Sequence, residues 1–298
     1  MHPDEVSVGR PLVARLIAAQ FPQWERLPLT RVGPAGTDNT IYRLGEDLAV
    51  RLPRRSAVAA EADRLQRWLP RLAPQLPLEV AAPLACGVPG EGFPFPWLVC
   101  RWLDGQVASD DPGVDPADPA VRLGRFVAAL HAADATGAPP TPFRGGPLSR
   151  LDDRVRGDIA GLDGTIDTGL VTAAWERALA APDWDGGPVW VHADLSPLNL
   201  LTRQHRLAAV IDFGGLGAGD PAVDLLPAWS WLTGPARALF RAEVEPDDAT
   251  WARGRGWALS LGLGFARHYQ DANPALAASG HQAVTEVLAE RAVSGLTP

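Results

Sequence analysis

The sequence predicts an α+β chain in two lobes, a first built on an antiparallel sheet and a larger, mainly helical second. Three observations carry this expectation. The first hundred residues read as a helix, a run of short strands around turns, and another helix. The apolar run Trp97 to Trp102 then gives way to Asp104-Gly105 and a loop rich in Asp and Pro from Asp110 to Pro119. Beyond that loop helical periodicity dominates, with a few short apolar runs between helices. The lobes are expected at 1–104, with a hinge near 100–104, and at 105–298.

Taken in order, Leu12, Leu16, Ile17 and Phe21 share one face of a first helix. Strands follow between Arg31 and Val50, with Gly33, Gly36 and Asp38-Asn39 at one turn and Gly45 at the next. Ala49 to Leu52 forms the third strand. Ser56 is the expected cap of a helix to about Leu69, with Trp68, Leu69 and Leu72 on its buried side. In the second lobe, Asp118-Pro119 suits the start of a helix burying Leu123, Phe126, Val127 and Leu130. Val189 to Val191 and Leu207 to Ile211 suit buried strands, and Asp220-Pro221, Asp247-Asp248 and Asn273-Pro274 suit the starts of the last helical stretches.

A chain of 298 residues that is 46% hydrophobic can fill two cores. No apolar run reaches the length of a membrane span, the first residues do not read as a secretory signal, and two cysteines are too few for a disulfide framework, so the expected location is the cytoplasm. Net charge −8 argues against a nucleic-acid partner, and no membrane or protein partner is indicated. All 27 basic residues are arginine. Any phosphate contact that lysine would make falls here to arginine, a backbone amide or a metal.

The chemistry concentrates in Trp190-Val-His-Ala-Asp-Leu-Ser-Pro-Leu-Asn-Leu-Leu201 and Val210-Ile-Asp-Phe-Gly214. His192, Asp194 and Asn199 give H-x-D-x-x-x-x-N, and Asp212 opens Asp-Phe-Gly across a short strand. This spacing matches a phosphoryl-transfer site. Such transfer needs hard oxygen ligands for magnesium, which Asn199 and Asp212 can provide. It also needs a carboxylate free of the metal to orient the acceptor hydroxyl and take its proton, and Asp194 is placed for that. Gly217-Ala-Gly-Asp-Pro-Ala222 fits a dinucleotide G-x-G-x-x-A pattern, but Asp220 would set a carboxylate beside the pyrophosphate. His131, His268 and His281 lack ligand spacing and are read as core or surface residues.

These segments resemble the catalytic loop and metal-binding motif of the aminoglycoside phosphotransferase family, distant relatives of protein kinases. The resemblance implies a bilobal protein-kinase-like fold, ATP as donor with GTP possible, and Mg²⁺. It implies Asp194 as catalytic base, Asn199 and Asp212 as magnesium ligands, and His192 as a support of the loop. Gly219-Asp-Pro-Ala-Val-Asp-Leu225 resembles the family's next block, whose acids cap and brace a helix. In the first lobe, Gly33-Pro-Ala-Gly-Thr-Asp-Asn39 is the candidate phosphate-covering turn, with Gly36, Thr37 and Asn39 as nucleotide contacts. Ala49-Val-Arg-Leu52 resembles the kinase Val-Ala-Ile-Lys strand, with Arg51 in the place of lysine. Glu61 is the expected ion partner, because the position where relatives carry glutamate holds Leu65. The backbone of Cys100 and Trp102 is expected to meet adenine. The catalytic loop departs from the family at Ala193, where glycine is common, and at Ser196-Pro197-Leu198, where His-Pro-Gly is common.

The expected acceptor is a cationic small molecule. Residues 1–104 carry 12 Arg and 11 acids, whereas residues 105–298 carry 15 Arg and 24 acids. Acids within 110–118, 152–163 and 243–248 are expected to line or rim the substrate side. An aminoglycoside or similar basic antibiotic fits best. The alternatives are a macrolide or a basic peptide, a choline-, homoserine- or sugar-like alcohol, or a nucleotide-binding module without catalysis. Retention of Asp194, Asn199 and Asp212 argues against the last, because a binding-only protein has no need for the base.

Overall fold

The computed structural model describes residues 6–33 and 39–294. The chain forms two compact units, Met1–Gly105 with Ala209–Gly214, and Gln106–Ala208 with Gly215–Pro298. Among the described residues no helix is long and apolar enough to cross a membrane.

The first unit opens with α1 (Arg10–Gln20), followed by β1 (Leu29–Arg31), β2 (Asn39–Leu44), β3 (Leu48–Pro53), α2 (Ser56–Leu72), β4 (Glu79–Val80), β5 (Pro83–Gly87) and β6 (Trp97–Arg101). Five strands form an antiparallel sheet in the order β1-β2-β3-β6-β5. Period-two alternation sorts its side chains. Val50 and Leu52 of β3 and Trp97 and Val99 of β6 join Leu16 and Ile17 of α1 in one core. Arg51 and Cys100, one step out of phase, belong to the face on which α2 lies. α2 buries Leu65, Trp68, Leu69 and Leu72 against the sheet. Ser56 is the first helical residue rather than the cap. Arg55 holds the cap position, with no side-chain cap bond. Ala209 and Val210 return to this unit and pair in parallel with β4.

The second unit contains β7 (Gln106–Val107), α3 (Ala117–Ala132), α4 (Asp152–Gly161), α5 (Thr168–Leu179), β8 (Val189–Val191), β9 (Leu200–Arg203), the start of β10 (Arg206–Val210), β11 (Gly217–Gly219), α6 (Pro227–Ser230), α7 (Gly234–Val244), α8 (Asp248–His268) and α9 (Pro274–Ser294). α3 buries Leu123, Phe126, Val127 and Leu130, as its periodicity predicts. It starts one residue before Asp118, whose carboxylate instead accepts from Leu207 N at 2.8 Å, Arg122 Nε at 3.1 Å and Arg206 Nε at 3.0 Å. A partly buried acid that can tie a helix to a strand satisfies more donors than one capping its own first turn. Gln204 and His205, both at positive φ, make the tight turn between β9 and β10. β11 pairs antiparallel with β8, Gly217 opposite Val191 and Gly219 opposite Val189.

Candidate active site

In the first unit Arg51 stands between two carboxylates. Its Nη2 donates to Glu61 Oε1 at 2.8 Å and to Asp212 Oδ1 at 2.9 Å. Burial alone would pull the guanidinium toward neutrality, but the charges of Glu61 and Asp212 outweigh it and hold the pKa above its ordinary value. For Glu61 burial is the larger influence and pushes its pKa up, with Arg51 opposing. Glu61 thus occupies the partner position expected of it, while Leu65, one turn on, is 2% exposed and packs in the core. Arg64, also on α2, donates to Gly214 O at 2.5 Å, so the helix holds the Asp-Phe-Gly segment at its third residue as well.

The other expected nucleotide contacts fare unevenly. Gly36 and Thr37 lie outside the described residues. Asn39 opens β2 opposite Pro53, and its side chain bonds Glu61, so it braces the acid instead of standing on a turn. Cys100 is buried beside Arg51, and burial pushes its thiol up to about 11, so it stays a neutral packing group. The Trp102 amide is already engaged, donating to Asp47 O at 2.7 Å. The main chain faces β3 at residue 102, and the alternation of a strand turns the Arg101 amide to the other edge.

In the second unit the segment after β8 is held rigidly from below. Asp224, fully buried, accepts from His192 N at 2.9 Å and from Ala193 N at 2.8 Å, and lies 3.2 Å from His131 Nε2. Asp194 N donates to His192 Nδ1 at 3.2 Å, which gives His192 the supporting part expected of it. Asp220 does cap, accepting from Ala222 N, and also pairs with buried Arg253 at 2.7 Å. Asp224 meets the helix α3 at His131 and also accepts from the two loop amides. Ala193 sits at φ +63°, a left-handed conformation that costs an L-residue roughly 1–2 kcal/mol and explains why glycine suits the position. Asp212 shares it at φ +60°. Strain of this kind persists only where the surroundings over-determine it, as Asp224 does here.

Asp224→Ala should therefore lower stability by about 2–6 kcal/mol, because two buried amides lose their acceptor at roughly 1–3 kcal/mol each. Thermal unfolding would show it, and a wild-type melting temperature would mean that other acceptors replace the carboxylate.

Asp194 is held by Asn199, whose Nδ2 donates to Asp194 O at 2.9 Å and to Asp194 Oδ2 at 3.3 Å. This leaves the Asn199 amide oxygen, the atom a cation would need, out of that pair of bonds. Arg144, absent from the sequence expectations, makes an ion pair with Asp194 Oδ1. Among the described residues no group of three or more His, Cys, Asp and Glu could hold a metal, so a cation here would draw its remaining ligands from phosphate and water, as Mg²⁺ commonly does.

The phosphotransferase enzyme family profile matches residues 30–257, more than half of the chain. This chain belongs to that family. The fold of this phosphotransferase is similar to that of an aminoglycoside 2'-phosphotransferase-IIIa in its GDP complex, at TM-score 0.70 and 19% identity, covering 95% of this chain and 100% of that one. It is also similar to the GDP and kanamycin complex of APH(2")-IIia, at TM-score 0.67 and 19% identity, covering 93% and 98%. A macrolide 2'-phosphotransferase from Brachybacterium faecium, solved as apoenzyme, matches at TM-score 0.60 and 24% identity, covering 93% and 98%. No curated protein matches.

Proposed function

We propose that this phosphotransferase moves the γ-phosphoryl group of ATP to a hydroxyl of a small molecule, with a basic antibiotic of the aminoglycoside kind as the leading acceptor. The observation that carries the reading is the held carboxylate of Asp194, 36% exposed and fixed by Asn199 on a loop anchored by Asp224. In the reaction the acceptor oxygen forms a bond to phosphorus as the bond from phosphorus to the bridging oxygen of ADP breaks. The hydroxyl proton passes to Asp194 and then to solvent. Asp212 and the Asn199 amide oxygen are the proposed magnesium ligands, an all-oxygen set that suits a hard cation. Bound there, Mg²⁺ would neutralise phosphate charge. Arg51, held between Glu61 and Asp212, is the proposed phosphate contact in a chain without lysine.

Arg51→Ala should raise KM for ATP, and Arg51→Lys should keep part of the function, because both retain charge but only arginine offers a fork of donors. Normal ATP kinetics in Arg51→Ala would remove the residue from the nucleotide site.

Two observations favour a second acceptor class, the macrolides. Many of the acids expected to attract a cation are taken by partners within the fold: Asp111 by Thr202 and His205, Asp152 by Trp175 and Arg156, Asp158 by Arg267 and His268, Glu243 by Arg125, and Asp248 by Arg241. Phe143 and Leu198, adjacent in sequence to Arg144 and Asn199, are more than half exposed and offer apolar surface. ADP release with ATP, Mg²⁺ and a panel of aminoglycosides, macrolides, basic peptides and metabolic alcohols separates the classes. A basic acceptor steered by the acidic field should also show kcat/KM falling as salt rises. Faster turnover of a macrolide without salt dependence would select the second reading, and no ADP release above background with any acceptor would leave a nucleotide-binding module.

A further inference from the structure

Arg144 comes from the irregular segment 139–147, fifty residues before the base. That segment is stitched down on both sides of the arginine. Ala218 N donates to Pro139 O at 2.7 Å, Thr141 N to Ala218 O at 2.9 Å and Thr141 Oγ1 to Gly215 O at 3.1 Å, while Asp220 N donates to Gly145 O at 2.8 Å. β11 therefore lies between β8 and this segment, and its glycines are what let it fit. A Cβ on Gly217 would fall 2.6 Å from the Thr141 backbone, and one on Gly219 would fall 2.9 Å from Thr141 Cγ2. The Gly-x-Gly pattern that mimics a dinucleotide fingerprint is thus the seat of the arginine's segment. Gly145, at φ +92°, turns the chain immediately after Arg144.

The two oxygens of Asp194 are treated unequally. Oδ1 takes the charge-assisted bond from Arg144 Nη1, which also donates to Ala193 O at 3.3 Å. Among the described residues Oδ2 has the long 3.3 Å contact from Asn199 and no other hydrogen bond. We infer that Arg144 is a positioning residue that locks the Asp194 carboxylate by Oδ1 and presents Oδ2 as the atom that receives the acceptor's proton. The inference rests on the reading of Asp194 as base. Once Oδ2 is protonated, Oδ1 still accepts from Arg144, so the carboxyl group keeps its orientation through the transfer. A cation held against Oδ1 also makes this end of the site less hospitable to an ammonium group than the acid-rich composition of the lobe suggests.

Arg144→Lys, Arg144→Gln and Arg144→Ala test this beside Asp194→Asn. The expected order of kcat is wild type, Lys, Gln, Ala, with Ala down roughly 10- to 100-fold, the scale of a misplaced reacting group. KM for ATP and calorimetric Mg·ATP affinity should stay at wild-type values, and Arg144→Ala should slow Asp194→Asn little further, because the two act as a unit. Equal kcat across wild type, Lys and Gln, with Asp194→Asn inactive, overturns the role of Arg144 and leaves the base assignment standing. A loss that follows Mg·ATP affinity also overturns it, making Arg144 a nucleotide contact. If Asp194→Asn turns over normally, the base assignment falls and this inference with it. Should the alanine variant fail to fold, the Lys and Gln variants decide.

Discussion

Replacing Asp194 with alanine lowers kcat for the true acceptor by roughly 10²- to 10⁴-fold, the range expected for loss of a general base, while Mg·ATP binding stays largely intact. The structure explains why the two effects should separate. Asp194 contacts Asn199 and Arg144 within its own unit, whereas Arg51, Glu61 and Asp212 form a separate cluster in the other. Removing the carboxylate leaves Asp224 still holding the amides of His192 and Ala193, so the loop keeps its floor. The measurement is steady-state turnover with a verified acceptor, paired with calorimetry of nucleotide binding. Unchanged turnover removes Asp194 from the mechanism.

Asp212→Ala should act on the nucleotide first. Its carboxylate is half exposed, so little folding energy depends on it, but it is the proposed metal ligand and the second anion on Arg51. Without it, triphosphate charge is poorly neutralised, and Mg·ATP affinity should fall by more than the roughly 10- to 100-fold typical of losing an outer-sphere partner of a metal. Turnover should fall with it. The ion pair of Arg51 with Glu61 at 2.8 Å should survive, so thermal stability should move little. Wild-type Mg·ATP affinity in this variant would sink the assignment.

Much of the fold was legible because its signals are local. The alternation through Ala49-Val-Arg-Leu52 separates the core side chains Val50 and Leu52 from Arg51, and the spacing of Leu123, Phe126, Val127 and Leu130 matches a buried helical face. The chain of inference from Leu65 to Glu61 worked because one helical turn preserves the face. What the sequence hid is non-local. Arg144 lies among prolines and glycines with no periodicity, and its partner is fifty residues away. Asp224 has the spacing of a helix-bracing acid, and only the packed chain shows that its oxygens also accept from the loop amides. The bond from Trp102 N to Asp47 O was hidden for a related reason: an apolar strand reveals its side-chain faces but not which amides face the neighbouring strand at its end. The acidic balance of residues 105–298 was counted correctly, yet counting charges cannot tell a solvated acid from one already paired.

The burial of Asp224 has a consequence for how this molecule breathes. Its carboxylate has no exposed surface and bonds the amides of His192 and Ala193 while contacting His131 of α3. A local fluctuation of the loop that releases those amides strips an already desolvated carboxylate of two donors, so it should cost far more than opening an exposed loop. Hydrogen exchange should therefore place the His192 and Ala193 amides among the slow-exchanging ones of the second unit, and loosening the core around α3 should loosen the segment that carries Asp194 in the same event.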